Sequence, residues 1–345
     1  MSMQTEFLMT WGWQIESPQQ KFASEQKLDP QFIARISEEQ KGLYKLQTEN
    51  GIMFGEVSGK IRFEAESRSG YPAVGDWVVF SPIDNKRAMI ERLLPRSTLF
   101  RRRDPSLASE QVIAANVDYV IIATSANEDF NLRRLERYLT GVAQAGAKAC
   151  LLLTKTDLAE DLAGLLKQMQ SAAGDRRIIS VSSKSRTGID ELLDFFSPGL
   201  TYAIVGSSGV GKSTLLNALL GESIQTTSDI REQDSKGRHT TTSRSLFRLP
   251  NGALFIDSPG MREFQLWEGD DLAGSGFDDI DLLQLKCKFT NCTHKDEKGC
   301  AVREAIDSGQ LDAARFLSYE KLKHELQIQR AKVNRALKVK QKTSA

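Results

Sequence analysis

One eight-residue segment constrains the fold of this chain more than any other feature of the sequence. Residues Gly206 to Ser213 have the sequence G-S-S-G-V-G-K-S, which fits the pattern G-x-x-x-x-G-K-[ST]. The apolar run Tyr202 to Val205 before it has the pattern of a buried strand, and Thr214 to Leu219 after it has the pattern of a helix. A glycine-rich turn in that context directs backbone N–H groups and the positive end of the helix toward phosphate. The segment therefore predicts a phosphate-binding loop at the edge of an α/β sheet.

The positions of this loop have distinct predicted roles. Lys212 is expected to reach the β- and γ-phosphates of a nucleotide, and Ser213 is expected to bind Mg²⁺. The predicted nucleotide-binding residues of the loop and the first helical turn are Gly206, Ser207, Ser208, Gly209, Val210, Gly211, Lys212, Ser213 and Thr214.

A second motif, Asp257-Ser258-Pro259-Gly260, follows the apolar strand pattern Ala253 to Ile256. In a protein with a phosphate-binding loop, an acidic residue at the end of a neighbouring strand holds the Mg²⁺ shell, so Asp257 is the second predicted magnesium ligand. Gly260 allows a backbone N–H to approach the γ-phosphate. The next position, which often carries a water-orienting glutamine, is Met261. We therefore expect slow intrinsic hydrolysis that needs an activator.

Between these two motifs lies the segment Gly237-Arg238-His239-Thr240-Thr241-Thr242. A mobile threonine that closes on Mg²⁺ and the γ-phosphate is one half of a nucleotide switch. Three successive threonines are candidates, with Thr241 counted among the predicted nucleotide-binding residues, and the segment by itself is equally typical of a Thr-rich β-edge. His239 is a candidate for positioning the attacking water, although an exposed loop histidine explains it as well. The predicted catalytic residues are thus Lys212, Asp257 and His239.

A third motif points to the base of the nucleotide. Thr154-Lys155-Thr156-Asp157 ends the strand pattern Cys150 to Leu153 and resembles the guanine-reading sequence N-K-x-D. A carboxylate at Asp157 accepts hydrogen bonds from guanine N1–H and the exocyclic amine, whereas adenine offers no matching donors. Lys155 is expected to pack along the base.

The next strand pattern is followed by Ser182-Ser183-Lys184, which resembles the S-A-K loop that contacts the guanine oxygen. Together the two loops predict GTP and GDP as ligands. Thr154 stands where asparagine is usual, so one amide is missing and we expect weaker nucleotide affinity and less certain base specificity.

The order of the motifs differs from that of ordinary small GTPases, in which the phosphate-binding loop comes first. Here the base-reading motifs precede it, so we expect a circularly permuted GTPase domain with the alternating strands and helices of a doubly wound parallel sheet. The predicted elements are strands over 117–124, 149–153, 177–181 and 201–205 and helices over 132–145, 162–172, 189–195 and 212–220. The segment after Asp257 leads directly into the C-terminal region, so the nucleotide state could move that region.

The C-terminal region contains a cluster with metal-ligand spacing, Cys287-x4-Cys292-x-His294-x5-Cys300. Three thiolates and one imidazole complete a tetrahedral Cys₃His zinc site and leave no position open for water, so a structural Zn²⁺ is predicted. The fourth cysteine, Cys150, lies in a strand pattern and is interpreted as core packing.

Residues before the GTPase region have short strand patterns separated by glycine-containing turns, which favour a small barrel such as an OB-fold or another small β-domain. The five predicted strands cover Leu43 to Leu46, Ile52 to Val57, Lys60 to Ala65, Asp76 to Phe80 and Ala88 to Leu93. The predicted domains are an N-terminal extension (1–38), the barrel (39–98), the permuted GTPase domain (99–268) and a helical zinc-binding domain with a basic tail (269–345).

Composition limits the location of the protein and some of its partners. The 345 residues are 26% charged with a net charge of +1, so total charge names no partner, but eight Lys or Arg against two Glu follow residue 318. No apolar run is long enough to cross a bilayer, and the first basic residue is Lys21, so neither a membrane span nor a signal peptide is expected. We predict a cytoplasmic protein, monomeric and without membrane association.

Taken together, these motifs resemble one family, the circularly permuted GTPases of small-ribosomal-subunit biogenesis (the RsgA/YjeQ type). The resemblance covers roughly Gly42 to Glu325 and also includes Val74 to Val78 in the barrel and Ile113 to Asp118 before the GTPase region. It implies an N-terminal OB-fold, a central permuted GTPase and a C-terminal zinc domain. It also implies late maturation of the 30S subunit, GTP hydrolysis stimulated by that subunit, and contacts of the barrel and zinc domain with rRNA.

Two other functions remain open at the level of the sequence. The first is a nucleic-acid-binding module whose GTPase domain is mainly a nucleotide sensor, which the barrel and the basic tail fit equally well. The second is a metal-delivery GTPase, against which the closed four-ligand set argues because cargo sites need exchangeable positions.

Overall fold

The computed structural model describes residues 3–65, 67–104, 109–207, 209–212, 214–216, 244–257, 277–324 and 327. Within these ranges the chain forms an N-terminal barrel, a central sheet with helices on both faces and a C-terminal group of helices. This arrangement confirms the predicted multidomain fold class. Among the helices of these ranges, none is both long and apolar enough to span a bilayer.

The barrel has the strand order β1-β2-β3-β5-β4, and β4 closes it by pairing with β1. All of its pairings are antiparallel except β3 with β5. A closed five-stranded barrel with this order is an OB-fold, as the strand patterns predicted. Its strands are β1 (Ile33–Gln40), β2 (Leu43–Thr48), β3 (Gly51–Val57), β4 (Trp77–Pro82) and β5 (Arg87–Leu93).

One of the five predicted barrel strands is wrong. Residues Lys60 to Ala65 do not form a strand, because helix α3 (Gly59–Glu64) occupies this position. Ser58 caps this helix, and its Oγ accepts a hydrogen bond from the N–H of Ile61 at 3.4 Å. The fifth strand is instead β1, which begins before the predicted barrel boundary at residue 39.

The N-terminal residues form two short helices, α1 (Met3–Thr10) and α2 (Pro18–Glu25), followed by a 3₁₀ turn over Pro30–Phe32. Their buried apolar side chains pack on the barrel: the ring centroids of Trp13 and Trp77 lie 4.9 Å apart, edge to face. This contact buries one side of β4 beneath the N-terminal segment.

The central sheet has the order β10-β9-β8-β11-β13-β12. Its first five strands are parallel, and β12 pairs antiparallel with β13. Side chains of β8 and β9 alternate between a core against α4 and α5 and a core that includes α6 and Cys150, which confirms core packing for this cysteine. The strands are β8 (Tyr119–Ser125), β9 (Lys148–Thr154), β10 (Ile178–Ser180), β11 (Thr201–Gly206), β12 (Arg244–Arg248) and β13 (Leu254–Asp257), and the helices are α4 (Leu132–Gln144), α5 (Leu162–Ala173) and α6 (Ile189–Phe195).

The barrel and the central sheet are connected both by strand pairing and along the chain. Strand β12 pairs with β1, so the two sheets form one 11-stranded sheet. A two-stranded ribbon of β6 (Leu99–Asp104) and β7 (Ser109–Ala115) connects the barrel to β8 along the chain.

A further junction centres on Arg35, whose guanidinium is fully buried. It donates hydrogen bonds to three backbone oxygens, those of Trp11 at 2.5 Å, Gly75 at 3.1 Å and Asn116 at 2.9 Å. These oxygens belong to the N-terminal segment, the barrel and the entry to the central sheet. Burial lowers the pKa of Arg35 to about 10, so the side chain stays charged at neutral pH.

The C-terminal helices are α7 (Asp278–Gln284), α8 (Ala301–Asp307) and a helix over residues 313–324. They share a small apolar core that includes Phe277, Val302 and Phe316, and all three clustered cysteines belong to this core or pack against it. A core this small is typical of a module that a bound metal stabilises.

Candidate nucleotide and metal sites

The phosphate-binding loop begins where β11 ends, between β8 and β13 in the middle of the central sheet. Gly206 has φ +152°, and a Cβ at this position would lie 2.5 Å from the carbonyl oxygen of Ala123 on β8. Only glycine allows β11 and β8 to approach so closely at the start of the loop. Gly209 has φ +78°, the left-handed conformation that turns the loop back toward its helix.

Lys212 lies across this loop. Its Nζ donates hydrogen bonds to the backbone oxygens of Gly206 at 2.6 Å and Ser207 at 2.5 Å. The helix after the loop has begun at this point, because the N–H of Leu215 donates to the oxygen of Gly211 at 2.8 Å. The ammonium group and the helix N-terminus therefore lie at the same loop, an arrangement that favours anion binding.

A carboxylate that the sequence analysis did not identify holds the loop from the neighbouring strand. Asp129 follows β8, and its Oδ2 accepts a short hydrogen bond from Ser207 Oγ. Arg134, in the first turn of α4, pairs with the same carboxylate at 3.0 Å. The Ser207 hydrogen bond, followed by the charge of Arg134, lowers the pKa of Asp129, so it is ionised at neutral pH. The only signal in the sequence was an acidic residue in the loop after a strand pattern.

The base-reading loop follows β9 at the same edge of the sheet. Lys155 has φ +55°, a left-handed turn that directs the chain into a 3₁₀ turn containing Asp157. The Oδ1 of Asp157 accepts a hydrogen bond from Ser182 Oγ at 2.5 Å, and this bond is the main cause of its lowered pKa. Ser182 is fully buried and its Oγ also accepts from the N–H of Ser185 at 3.2 Å. Ser182 of the second predicted loop thus orients the carboxylate of Asp157 in the first.

Thr154 connects this base-reading loop to the phosphate-binding loop. Its Oγ1 lies 2.7 Å from the carbonyl oxygen of Val210 and 3.2 Å from that of Thr124. The two predicted nucleotide-binding regions, 56 residues apart in sequence, are therefore in direct contact through this side chain.

Asp257 is the last residue of β13 and is exposed at the same edge of the sheet as the phosphate-binding loop. This position is compatible with its predicted place near Mg²⁺. Ser183 and Lys184 lie in the turn after Val181, and Thr214 lies in the helix after the loop. Ser208, Ser213, His239, Thr241 and Gly260 lie outside the described residues.

The four predicted metal ligands converge at one point. Cys287 Sγ lies 3.6 Å from His294 Nδ1 and 4.0 Å from Cys300 Sγ, and His294 Nδ1 lies 3.4 Å from Cys300 Sγ. With Cys292 included, all four ligand atoms lie within 4.8 Å of one another. Ligands bound tetrahedrally to zinc at its usual bond lengths are separated by about 3.4–3.8 Å. Donor set and spacing therefore fit a structural Zn²⁺.

Local structure explains how these ligands are positioned. Cys300 is the N-cap of α8, and its Sγ accepts from the N–H of Arg303 at 3.5 Å. His294 adopts a left-handed φ of +61° and packs edge to face on Phe316, with ring centroids 5.8 Å apart. Burial, with the charge of Lys323 as a second cause, lowers the pKa of His294, which favours the neutral imidazole that a metal needs.

The described residues therefore bring the predicted base-reading residues next to the predicted phosphate-binding loop and contain a Cys₃His cluster, in the permuted order predicted. A comparison with protein families matches residues 93–267 to the family described as RsgA GTPase. The chain belongs to the RsgA GTPase family. Like other RsgA GTPases it is a GTP-hydrolysing enzyme, and the match confirms the resemblance stated from the motifs.

Curated relatives extend the match over most of the chain. The protein named small ribosomal subunit biogenesis GTPase RsgA 2 from Lactiplantibacillus plantarum is 43% identical over 323 residues, which cover 91% of this chain and 91% of the relative. RsgA 1 from Oceanobacillus iheyensis is 44% identical over 316 residues, covering 89% of this chain and 90% of the relative. The similarity therefore includes the barrel and the zinc cluster as well as the GTPase domain.

Solved structures show the same fold. YjeQ from Thermotoga maritima superimposes with a TM-score of 0.65 at 24% identity, covering 85% of this chain and 98% of that structure. YloQ, described as a circularly permuted GTPase, superimposes with a TM-score of 0.61 at 25% identity, covering 86% and 94%. The permuted order of this RsgA chain is thus shared by structures with little sequence identity to it.

Proposed function

We propose that this chain is a GTPase that acts in late maturation of the 30S ribosomal subunit and hydrolyses GTP faster when bound to it. The observation that carries the proposal is the carboxylate of Asp157, held by Ser182 at the same sheet edge as the loop bearing Lys212. The names of the relatives, small ribosomal subunit biogenesis GTPases at 43–44% identity, support the cellular role.

In this proposal each part of the nucleotide has its own residues. Asp157 and the loop Ser182 to Lys184 select guanine, and the backbone of Gly206 to Ser213 with Lys212 holds the phosphates. Mg²⁺, which would neutralise charge on the β- and γ-phosphates, would be held by Ser213 and Asp257. Thr241 and Gly260 would contact the γ-phosphate end, and His239 would position water. Because the side chain of Met261 has no polar group that could orient the attacking water, an external activator is expected.

In this proposal the other two modules bind the partner. The barrel over residues 39–98 and the zinc-binding domain over 269–345 with its basic tail contact rRNA, while residues 99–268 carry the GTPase. OB-fold barrels are frequent nucleic-acid binders. The chain acts as a cytoplasmic monomer that needs no membrane.

GTP turnover with and without purified 30S subunits tests the enzymatic part, with ATP as the nucleotide control. We expect low basal turnover, strong stimulation by 30S subunits and no comparable turnover of ATP. Lys212→Ala should abolish turnover in both conditions, whereas Lys167→Ala, an exposed change on α5, should leave both unchanged. Absence of stimulation by the subunit would contradict the proposed role.

Base selection is tested by Asp157→Asn. The carboxylate pairs with two donors of guanine, and loss of a charge-assisted hydrogen bond costs roughly 10- to 100-fold in GTP affinity. Xanthine carries an oxygen in place of the exocyclic amine, so the new amide should favour XTP. Equal affinities of wild type and variant for GTP would remove Asp157 from the base site.

A second function, a nucleic-acid-binding module with a nucleotide-sensing GTPase domain, is favoured by the closed OB-fold barrel. Lys212→Ala separates the two functions. In the first, hydrolysis and 30S maturation fail together; in the second, RNA binding and biological activity survive the loss of hydrolysis.

A further inference from the structure

The hydroxyl hydrogen of Thr154 is already used in a hydrogen bond within the protein. A threonine hydroxyl carries one hydrogen, and the two atoms near Thr154 Oγ1, the carbonyl oxygens of Val210 at 2.7 Å and Thr124 at 3.2 Å, are both acceptors. Neither can donate, so the single hydrogen points at these carbonyls, with Val210 the closer. The residue is 5% exposed, so water does not compete for this hydrogen.

Residue 154 therefore has no donor left for the Hoogsteen edge of guanine. That edge presents N7 and O6, which are both acceptors and need a donor from the protein. Asparagine, with two amide hydrogens, could bond the phosphate-binding loop and still offer a donor, whereas threonine could not. The remaining lone pairs of Thr154 Oγ1 cannot pair with either base atom.

We propose that Thr154 is a positioning residue that fastens the base-reading loop to the phosphate-binding loop, and that residue 154 donates no hydrogen bond to guanine N7. The inference rests on the proposed function, since it takes guanine nucleotides as the ligand. Guanine is selected through its N1–H and exocyclic amine by Asp157, and Thr154 sets the distance between that carboxylate and the phosphate cradle. Threonine at this position therefore connects the two loops and does not contact the base.

The spacing is mechanically important because a nucleotide spans both loops. Val210 is fully buried in the phosphate-binding loop, and Ser182 ties Asp157 to the buried end of the adjacent strand. Without the Thr154 hydroxyl, the loops lose their direct bond, and a ligand must restore the spacing at the cost of its own affinity.

The test measures binding rather than turnover. Dissociation constants of GDP, 7-deaza-GDP (in which N7 is replaced by C–H) and ADP are determined by competition against a fluorescent guanine nucleotide. Wild type should bind GDP and 7-deaza-GDP within about twofold of each other. Thr154→Val should weaken both equally, roughly 3- to 10-fold as expected for one buried hydrogen bond, and Thr154→Ser should restore both. Thr154→Asn should bind GDP at least about 5-fold more tightly than 7-deaza-GDP, since its amide supplies the missing donor.

A matched control comes from Thr201 on β11. Its hydroxyl is buried and has no hydrogen-bond partner within the described ranges, so Thr201→Val removes the same atom without breaking a bond. This variant should bind all three nucleotides as wild type does. Thermal melting checks folding, and Thr154→Ser keeps the question answerable if Thr154→Val does not fold.

The outcomes are separable. A wild-type preference for GDP over 7-deaza-GDP of 5-fold or more would overturn the inference, as would unchanged GDP affinity in Thr154→Val. Equal competition by ADP and GDP would instead overturn the proposed guanine nucleotide function itself.

Discussion

Arg315, on the helix over residues 313–324, donates a hydrogen bond from Nη1 to Glu136 Oε1 of α4 at 3.0 Å, and both side chains are buried. The other guanidinium nitrogen, Nη2, donates to Asp279 of α7 at 3.0 Å, and the guanidinium lies 5.0 Å from the ring centroid of Phe277. One arginine thus holds the zinc-binding module against the GTPase domain. The same α4 begins beside Asp129, which contacts the phosphate-binding loop, so this helix connects the nucleotide site to the C-terminal module.

Arg315→Ala should destabilise the junction of the two domains. It leaves the Glu136 carboxylate buried without its cation, a change that costs about 2–4 kcal/mol of unfolding free energy when the acid can partly escape by protonation. Chemical denaturation followed by the fluorescence of an added C-terminal probe should show the zinc module separating earlier than the central sheet.

The control is another arginine of the same module. Arg303 pairs with Asp296 at 3.1 Å, but the side chain of Asp296 is 98% exposed. Arg303→Ala should cost no more than about 0.5 kcal/mol, since solvent-exposed ion pairs contribute little. Equal losses for the two variants would show that Arg315 does not brace the interface.

The same pair predicts a specific pH dependence. Burial raises the pKa of Glu136 from 4.5 to about 7, with Arg315 acting in the opposite direction. Between these values the folded protein holds a proton that the unfolded chain has released. The stabilisation of the folded protein by protonated Glu136 is therefore complete below about pH 4.5 and is lost as the pH rises through 7.

Glu136→Gln removes this titration and isolates its effect. Relative to the variant, wild type should lose up to about 3 kcal/mol of unfolding free energy between pH 4.5 and pH 8. Denaturant titrations at four pH values across that range measure the difference. A difference that is constant with pH, or that grows in favour of wild type, would contradict the raised pKa.

Removal of zinc should unfold the C-terminal module while the central sheet stays folded. The Cys₃His ligands lie close together, but the module core is small, so much of its folding free energy is metal-binding free energy. We expect one zinc per chain by elemental analysis, and loss of helical signal with a chelator. Cys287→Ser should reproduce the loss.

Cys150→Ala is the control for the zinc experiment. This cysteine is fully buried in β9, packs among apolar side chains of the central sheet and is not one of the four clustered ligands. The variant should retain a full equivalent of zinc. A fall in zinc content with Cys150→Ala, or full retention with Cys287→Ser, would show that the ligands are assigned wrongly.

Gly75→Ala should disrupt the junction of the barrel and the central sheet. Gly75 has φ +90°, and an added Cβ would lie 2.1 Å from the carbonyl oxygen of Ala115. Its own oxygen also accepts the Nε hydrogen bond of Arg35. Backbone strain alone costs about 1–3 kcal/mol, and the clash adds to it, so thermal unfolding should shift markedly downward.

Gly59→Ala provides the matched glycine control. Gly59 is the first residue of α3, and an added Cβ would meet nothing within 4 Å. The change should be neutral or stabilise the protein by up to about 1 kcal/mol, because alanine favours helix. Similar melting temperatures for both variants would show that the Gly75 approach is not tight.

Local features of the nucleotide and metal sites were predictable because each depends on a few consecutive residues. The loop Gly206 to Ser213 needs its glycines for backbone conformations that other residues avoid, and the strand and helix patterns beside it mark its place in a sheet. The Cys₃His spacing constrains ligand geometry within fourteen residues. The strand prediction over residues 60–65 failed because Ser58 caps a helix there, and Phe63 on that helix is 92% exposed.

The sequence by itself determined the family, the order of the motifs and the residue types expected to face nucleotide and metal. Only the tertiary structure decided how these parts are connected: Thr154 to Val210 across 56 residues, Asp129 to Ser207 across 78, and Glu136 to Arg315 across 179. Such contacts have no local signature, because any hydroxyl or carboxylate at those positions fits the same periodicity. The packing of strands and helices alone selects which distant backbone oxygen or charge each side chain meets. For Thr154 that packing turned an apparent loss of a base contact into a bond between the two halves of the nucleotide site.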